Sequence, residues 1–193
     1  NTIVAFTEAA KTFPGILLEA DARFSADGHV VLMHDDTVNR TTSGTGKPEE
    51  MTLADLKSLD AAYNFSLDSG KTFPYRGQGI TIPTLDELLQ ALPGERIQIE
   101  AKGGPELMEA IVASVRRNNA GHRVLLCSFF PSSMARLREI APDWARTYDF
   151  DTGEELVRAL REGGWDAYEP RDHVLSMMEE HLEHYRLTPE EIG

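Results

Sequence analysis

Glu19-Ala20-Asp21 sets two carboxylates two residues apart, and His34-Asp35 follows beyond an Asp27-Gly28 pair. On a strand, side chains alternate with period two, so Glu19 and Asp21 project from one face and can share a cation. An Asp-Gly pair between apolar runs predicts a two-residue hairpin turn with Ala26 opposite His29. Continuing that register back sets Asp21 opposite His34. A titratable imidazole would then stand beside a pair of metal ligands, which suits proton transfer next to a bound cation.

Glu100 joins this pair from the run Arg96-Ile97-Gln98-Ile99-Glu100, which reads as a strand. All three carboxylates sit among Leu, Ile and Ala, where an unpaired charge costs several kcal/mol to bury. A hard divalent cation would compensate them, and an all-oxygen set favours Mg²⁺ or Ca²⁺ over Zn²⁺. Ion pairs would compensate them too, with Arg23 serving Asp21 or Lys102 serving Glu100, and spacing alone does not choose between the two. Lys102 shares a face with Glu100, so it either neutralises that carboxylate or holds an anionic substrate oxygen. A lone His at a strand end is usually a surface residue; the position beside Asp21, with Asp35 or Asp36 to orient the ring, favours catalysis for His34. Arg40, His29, His122, His173, His181 and His184 have no comparable surroundings. His181 and His184 fall on a helical pattern rich in Glu, which reads as a solvated face.

These residues must be positioned by the elements around them. A helix is expected at about 2 to 12, followed by hairpin strands near 16 to 24 and 29 to 34. Between Arg40 and Gly79 the only strong periodicity is Leu53, Leu56 and Leu59, and so long a stretch reads as an insertion or cover. Thr84-Leu85-Asp86-Glu87 then opens a capped helix, and 96 to 100 forms a strand. A helix at Pro105 to Arg117, a strand at Val124 to Phe129, a helix near 132 to 140 and a strand near 146 to 150 follow. A helix at Thr152 to Arg161, a strand at Asp166 to Tyr168 and a helix near 173 to 185 continue the alternation. Strands alternating with helices imply βαβ units and a parallel sheet, whose usual closed form is the (β/α)8 barrel. Such barrels take about 250 residues, and the strands visible here are too few to close one. The expectation is one incomplete α/β barrel domain over 1–193, with an insertion at about 40–79.

At 193 residues and 41% hydrophobic content the chain can bury one sizeable core. Its net charge of −13 argues against nucleic-acid binding but not against a small phosphate ester held on a metal. Cys127 is the single cysteine, so a disulfide within the chain is impossible, and its apolar run predicts a buried thiol. No run of about 18 apolar residues exists to span a membrane. Asn1 opens directly inside a helical pattern, and Thr188-Pro189-Glu190-Glu191 announces a helix that has no body before Gly193. The chain is therefore expected to be an internal piece of a longer protein. Any signal peptide would precede it; a cytoplasmic location is the expectation, with a periplasmic or secreted one the alternative.

Taken together, these residues resemble the glycerophosphodiester phosphodiesterase family. Asn1-Thr2-Ile3 with Ala5-Phe6 is similar to the family's opening, Leu18-Glu19-Ala20-Asp21 to its Glu-x-Asp metal motif, and His34-Asp35 to its His-Asp pair. Arg40-Thr41-Thr42, Ile82-Pro83-Thr84-Leu85 with Glu87, Ile99-Glu100-Ala101-Lys102 and Ser128-Phe129 match further segments in order. The resemblance implies a TIM-like (β/α)8 barrel of the phosphatidylinositol phospholipase C-like phosphodiesterase type, lacking its first and last strands in this chain. It implies that Glu19, Asp21 and Glu100 bind the divalent cation, Mg²⁺ or Ca²⁺, that His34 is one of two catalytic histidines, and that Lys102 holds the phosphate. Asp35, Arg40 and Ser128 are secondary candidates. The implied reaction is metal-dependent hydrolysis of a small-molecule glycerophosphodiester to glycerol 3-phosphate and an alcohol. The family's other His belongs to a His-Arg-Gly sequence that does not occur here, and neither does its late Trp-Thr-Val-Asn. The alternatives are a related barrel enzyme, such as phosphatidylinositol-specific phospholipase C or a sphingomyelinase D-like enzyme, and a non-catalytic metal-binding barrel.

Overall fold

The computed structural model describes residues 1–148. Thr2 caps helix α1 (Ile3–Thr12) by accepting from the Ala5 amide, and Phe6 is the residue this helix buries. The apolar run after it forms β1 (Leu17–Phe24), which turns tightly into the short antiparallel β2 (Val30–Leu32). Helices α2 (Leu53–Ser58) and α3 (Leu85–Ala91) both start on complete capping boxes, Thr52 with Asp55 and Thr84 with Glu87. That is the structure a Thr-x-x-acid sequence before an apolar repeat encodes. Then β3 (Arg96–Ala101), α4 (Pro105–Arg117), β4 (Val124–Ser128), α5 (Pro131–Ile140) and β5 (Arg146–Tyr148) alternate. Pro begins α4 and α5, where its missing N–H costs nothing. The elements expected from residue 152 onward, with His173, His181 and His184, lie outside the described residues.

The strands form one sheet in the order β2-β1-β3-β4-β5, parallel from β1 to β5, with β2 antiparallel at the edge. Alternation divides its two faces. Leu18, Ala20, Ala22, Ile97, Ile99, Ala101, Val124 and Leu126 join one core with Phe6 of α1, Leu88 of α3, Ile111 of α4 and Leu137 of α5. Leu88, Ile99, Ile111 and Leu126 are fully buried there, each contributing about 1.5–3 kcal/mol over its exposed state. The residues between them, Glu19, Asp21, Gln98 and Glu100, point to the opposite, inner face. Helices outside and these polar side chains inside are the wall of a (β/α)8-type barrel, and among the described residues that wall is an open sheet.

The hairpin departs from the expected register. Phe24 pairs with Val30 and Ala22 with Leu32, and the Ser25 amide donates to the His29 carbonyl at 2.9 Å. Three residues, Ala26, Asp27 and Gly28, therefore make the loop, with Gly28 in the left-handed region at φ 81°. Asp21 lies opposite Met33, whose amide donates to its carbonyl at 2.9 Å, and not opposite His34. Contacts from outside the hairpin account for the slip. Asp27 Oδ1 accepts from the Leu53 amide at the start of α2 at 2.9 Å, and the Ala26 amide donates to Met51 O at 2.8 Å. A one-residue slip in pairing would turn a strand's side chains to the other face; here β2 ends at Leu32, so His34 reaches the site from a loop.

The 40–79 segment packs onto the residues around β2 through a second small core. Val31, Met33, Val38, Leu56 and Ile82 form a second buried cluster, with Met51, Leu53, Leu59 and Ala61 packed against it. Residues Pro83 and Thr84 cover the free edge of β2 through Leu32 N to Pro83 O at 2.9 Å and a Val31–Thr84 bridge.

Candidate active site

The parallel pairing of β1 with β3 ends at Ala22–Ala101, and Asp21 stands beside Glu100 one step before that end. Glu19 is beside Gln98, one pleat earlier on the same face. One oxygen from each of Glu19, Asp21 and Glu100 lies within 4.8 Å of the others. Asp21 and Glu100 are buried, whereas Glu19 is exposed, less enclosed than its apolar neighbours suggest. Lys102, just past β3, places Nζ 3.1 Å from Asp21 Oδ1 and 2.7 Å from Glu100 Oε1. Of the ion pairs open from sequence, the Lys102 pair forms and takes both buried carboxylates, while Arg23 is engaged elsewhere. Burial alone would lower the Lys102 pKa, but bonds to Glu100 and Asp21 outweigh it and hold the ammonium charged. Three carboxylates against one ammonium leave two negative charges when all ionise, and an all-oxygen set of that charge fits a hard divalent cation.

Glu19 carries the strain of this crowding. Partial desolvation, then the charges of Asp21 and Glu100, push its carboxyl up from 4.5 to about 7, against smaller opposing effects of Lys102 and His34. A raised folded-state pKa means that the cation-free protein loses stability as pH rises from about 4.5 to about 7, because Glu19 must ionise beside two like charges. A cation held by these carboxylates would relieve that repulsion and compete with the Glu19 proton. Mg²⁺ affinity is therefore expected to rise about tenfold per pH unit below about 7 and to level off above it. Calorimetric Mg²⁺ titrations at pH 5.5 and 7.5 in two buffers check this through affinity and proton release; equal affinities would remove Glu19 from the ligand set.

His34 is on the surface of the loop after β2, with its side chain 62% exposed. Its Nδ1 is 2.8 Å from Asp35 Oδ1. Arg40 grips the same carboxylate with two bonds, Nε to Oδ2 at 2.6 Å and Nη2 to Oδ1 at 2.8 Å. The Arg40 bonds, then the His34 bond, hold the Asp35 carboxyl well below the usual carboxylate range. An ionised carboxylate only accepts, so Nδ1 carries the hydrogen and Nε2 is left as the nitrogen that exchanges protons. Asn64 steadies Arg40 from behind, its Nδ2 donating to Arg40 O at 3.1 Å and Thr42 O at 3.2 Å. Asp36, the other candidate for orienting the ring, bonds Arg23 instead.

Ser128 is placed apart from these groups. It is fully buried on the helix-facing side of β4, its hydroxyl donating to Ala101 O at 2.7 Å and accepting from the Phe130 amide at 3.1 Å. It joins β3 to the end of β4 and does not face the carboxylates. Asn1 is the residue that spacing arguments miss. Its Nδ2 donates to Asp21 Oδ2 at 2.7 Å, and its Oδ1 accepts from the Asp21 amide at 3.0 Å. Its signals in the sequence are its place directly before the Thr2 cap and the resemblance carried by Asn1-Thr2-Ile3.

A cluster of three carboxylates on one strand pair, a lysine beside it and an aspartate-held histidine next door invite comparison with known proteins. Residues 1–163 match the model of the glycerophosphoryl diester phosphodiesterase family. The glycerophosphodiester phosphodiesterase of Caldanaerobacter subterraneus subsp. tengcongensis is 35% identical over 150 residues, 74% of this chain and 57% of that protein. The crystal structure of glycerophosphodiester phosphodiesterase from Agrobacterium tumefaciens superimposes with a TM-score of 0.63 at 31% identity, covering 76% of this chain and 59% of that one. An Oleispira antarctica phosphodiesterase, solved in complex with the product sn-glycerol-3-phosphate, gives a TM-score of 0.69 at 29% identity, over 83% of this chain and 65% of that one. The chain thus spans a little over half the length of the Caldanaerobacter relative. With 163 residues matched by the family model in one stretch, and with fold and acidic cluster in agreement, the chain belongs to the glycerophosphoryl diester phosphodiesterase family.

Proposed function

We propose that this chain carries the cation site and one of the proton-transferring groups of an enzyme that hydrolyses glycerophosphodiesters to glycerol 3-phosphate and an alcohol. The observation that carries the reading is the convergence of Glu19, Asp21 and Glu100 within 4.8 Å at the end of the β1–β3 pairing. The product complex of the Oleispira relative supports the substrate class.

Glu19, Asp21 and Glu100 would hold Mg²⁺ or Ca²⁺, and Asn1 orients Asp21 through both ends of its amide. When bound, such a cation supplies charge stabilisation to phosphoryl oxygens and holds the substrate in place. Lys102 then turns from the two carboxylates to a phosphoryl oxygen, a point charge poised at the cluster's edge. His34 exchanges a proton at Nε2 with an oxygen on phosphorus, its ring aimed by Asp35. Among the described residues no helix is long and apolar enough to cross a membrane, and a small soluble diester fits this open, acidic face.

Assaying the intact protein with glycerophosphocholine and glycerophosphoethanolamine, before and after EDTA treatment, tests the reading. Release of glycerol 3-phosphate that EDTA abolishes and Mg²⁺ or Ca²⁺ restores is expected. Cleavage of phosphatidylinositol alone would replace this function with that of the related phospholipase, and turnover indifferent to EDTA would remove the cation.

A further inference from the structure

Arg23 follows Glu19 and Asp21 on the inner face of β1, and its side chain is only 10% exposed. Its guanidinium reaches to the loop after β2. Nε and Nη2 donate to the His34 carbonyl oxygen at 3.3 and 3.0 Å, Nη2 also to Asp36 Oδ1 at 2.5 Å, and Nη1 to Glu49 Oε1 at 3.2 Å. The β1–β2 ladder gives out at the same place: β2 ends at Leu32, and the Met33 amide to Asp21 carbonyl bond closes the pairing. At His34 a side chain of the cation-binding strand therefore takes over from the backbone ladder.

We infer that Arg23 is a positioning residue for His34. It fixes the His34 main chain relative to Glu19 and Asp21, four and two residues away on its own strand, while Asp35 and Arg40 fix the ring. The inference rests on the reading of His34 as a proton-transferring group. Only a planar fork can put Nε and Nη2 on one oxygen while a third donor reaches Glu49, so Lys cannot substitute although it keeps the charge. Asp36 and Glu49 make the buried guanidinium tolerable, since a buried charge without partners is strongly destabilising. The arrangement ties the distance between cation and imidazole to one rigid side chain, and an error of about 1 Å in such a distance can cost about 100-fold in rate.

The test compares Arg23→Lys and Asp36→Asn with the parent in the intact protein, measuring kcat, KM, Mg²⁺ affinity and the His34 ring signal in a ¹H–¹³C spectrum. Arg23→Lys is expected to lower kcat by about 100-fold, with KM and Mg²⁺ affinity within about threefold of the parent. Asp36→Asn, at an exposed carboxylate, should leave the fold intact and lower kcat by about 2–5-fold, the scale of an exposed ion pair. In both the His34 ring signal should move. Unchanged kcat and ring signal in Arg23→Lys would overturn the inference, as would a kcat loss matched by loss of Mg²⁺ binding, which marks a role in the strand itself. If Arg23→Lys does not fold, an unmoved ring signal in Asp36→Asn overturns it equally. A parent that hydrolyses no glycerophosphodiester refutes the functional reading alone, because the ring signal still decides whether Arg23 governs His34.

Discussion

Glu100→Gln is expected to abolish cation binding and turnover together while leaving the cation-free fold as stable as the parent. Gln keeps the size of the side chain and removes one of three crowded charges. Lys102 retains Asp21 Oδ1 at 3.1 Å, so the ammonium is not left without a partner. Partners that merely orient metal ligands cost about 10–100-fold in affinity when removed, so loss of a ligand is expected to cost more than about 100-fold. A cation at 100 times its dissociation constant stabilises the parent by about 2.7 kcal/mol; the variant should show no such gain in thermal unfolding. Removing the Glu100 charge should also bring the Glu19 pKa down from about 7, because that charge is among the causes of its elevation. Calorimetric Mg²⁺ titration reads the binding, scanning calorimetry the stability, steady-state kinetics the turnover and a ¹³C NMR pH titration the Glu19 carboxyl. Parent-like Mg²⁺ affinity in the variant would mean that the carboxylates converge without forming the cation site.

His34→Ala separates chemistry from binding. Its imidazole is exposed and, among the described residues, bonded only to Asp35, itself held by Arg40, so unfolding stability should shift by no more than about 0.5 kcal/mol. Glu19, Asp21 and Glu100 are untouched, so Mg²⁺ affinity should match the parent. Turnover should fall by about 100- to 10,000-fold, the range for removal of a positioned acid or base. KM should move little, because the ring acts on a proton and does not hold the substrate. Steady-state kinetics beside the same Mg²⁺ titration read this split. Near-normal kcat would show that proton transfer runs through another group.

Much of the site was legible because it depends on short spacing. Glu19 and Asp21 share a face through the period of a strand, and the capping boxes at Thr52 and Thr84 start helices where their sequences say. Helix α4 at Pro105–Arg117 follows directly from Leu107, Ile111 and Val115 at helical spacing. The hairpin register was not legible. Asp27-Gly28 announces a turn, but a two-residue and a three-residue loop use the same residues, and the Leu53 and Met51 backbones decide between them. Arg23 shows the same limit. Two residues from Asp21, it looks like its partner, yet the pleat and the loop after β2 direct its guanidinium to His34, Asp36 and Glu49. Ser128 misleads in the other direction, since alternation along β4 turns it toward Ala101 and the helices.

Residue types, the strand and helix periods and the ordered motifs, and with them the family and the acidic, oxygen-rich character of the site, are legible in the chain alone. These rest on spacing of a few residues, where local geometry leaves one arrangement. The tertiary structure alone decided that Asp21 pairs beside Glu100, that Lys102 bridges both, and that His34 arrives on a loop held by Arg23 and Asp35. Those distances join residues far apart along the chain. They are set by sheet register and by contacts from the 40–79 segment, which no local preference contains.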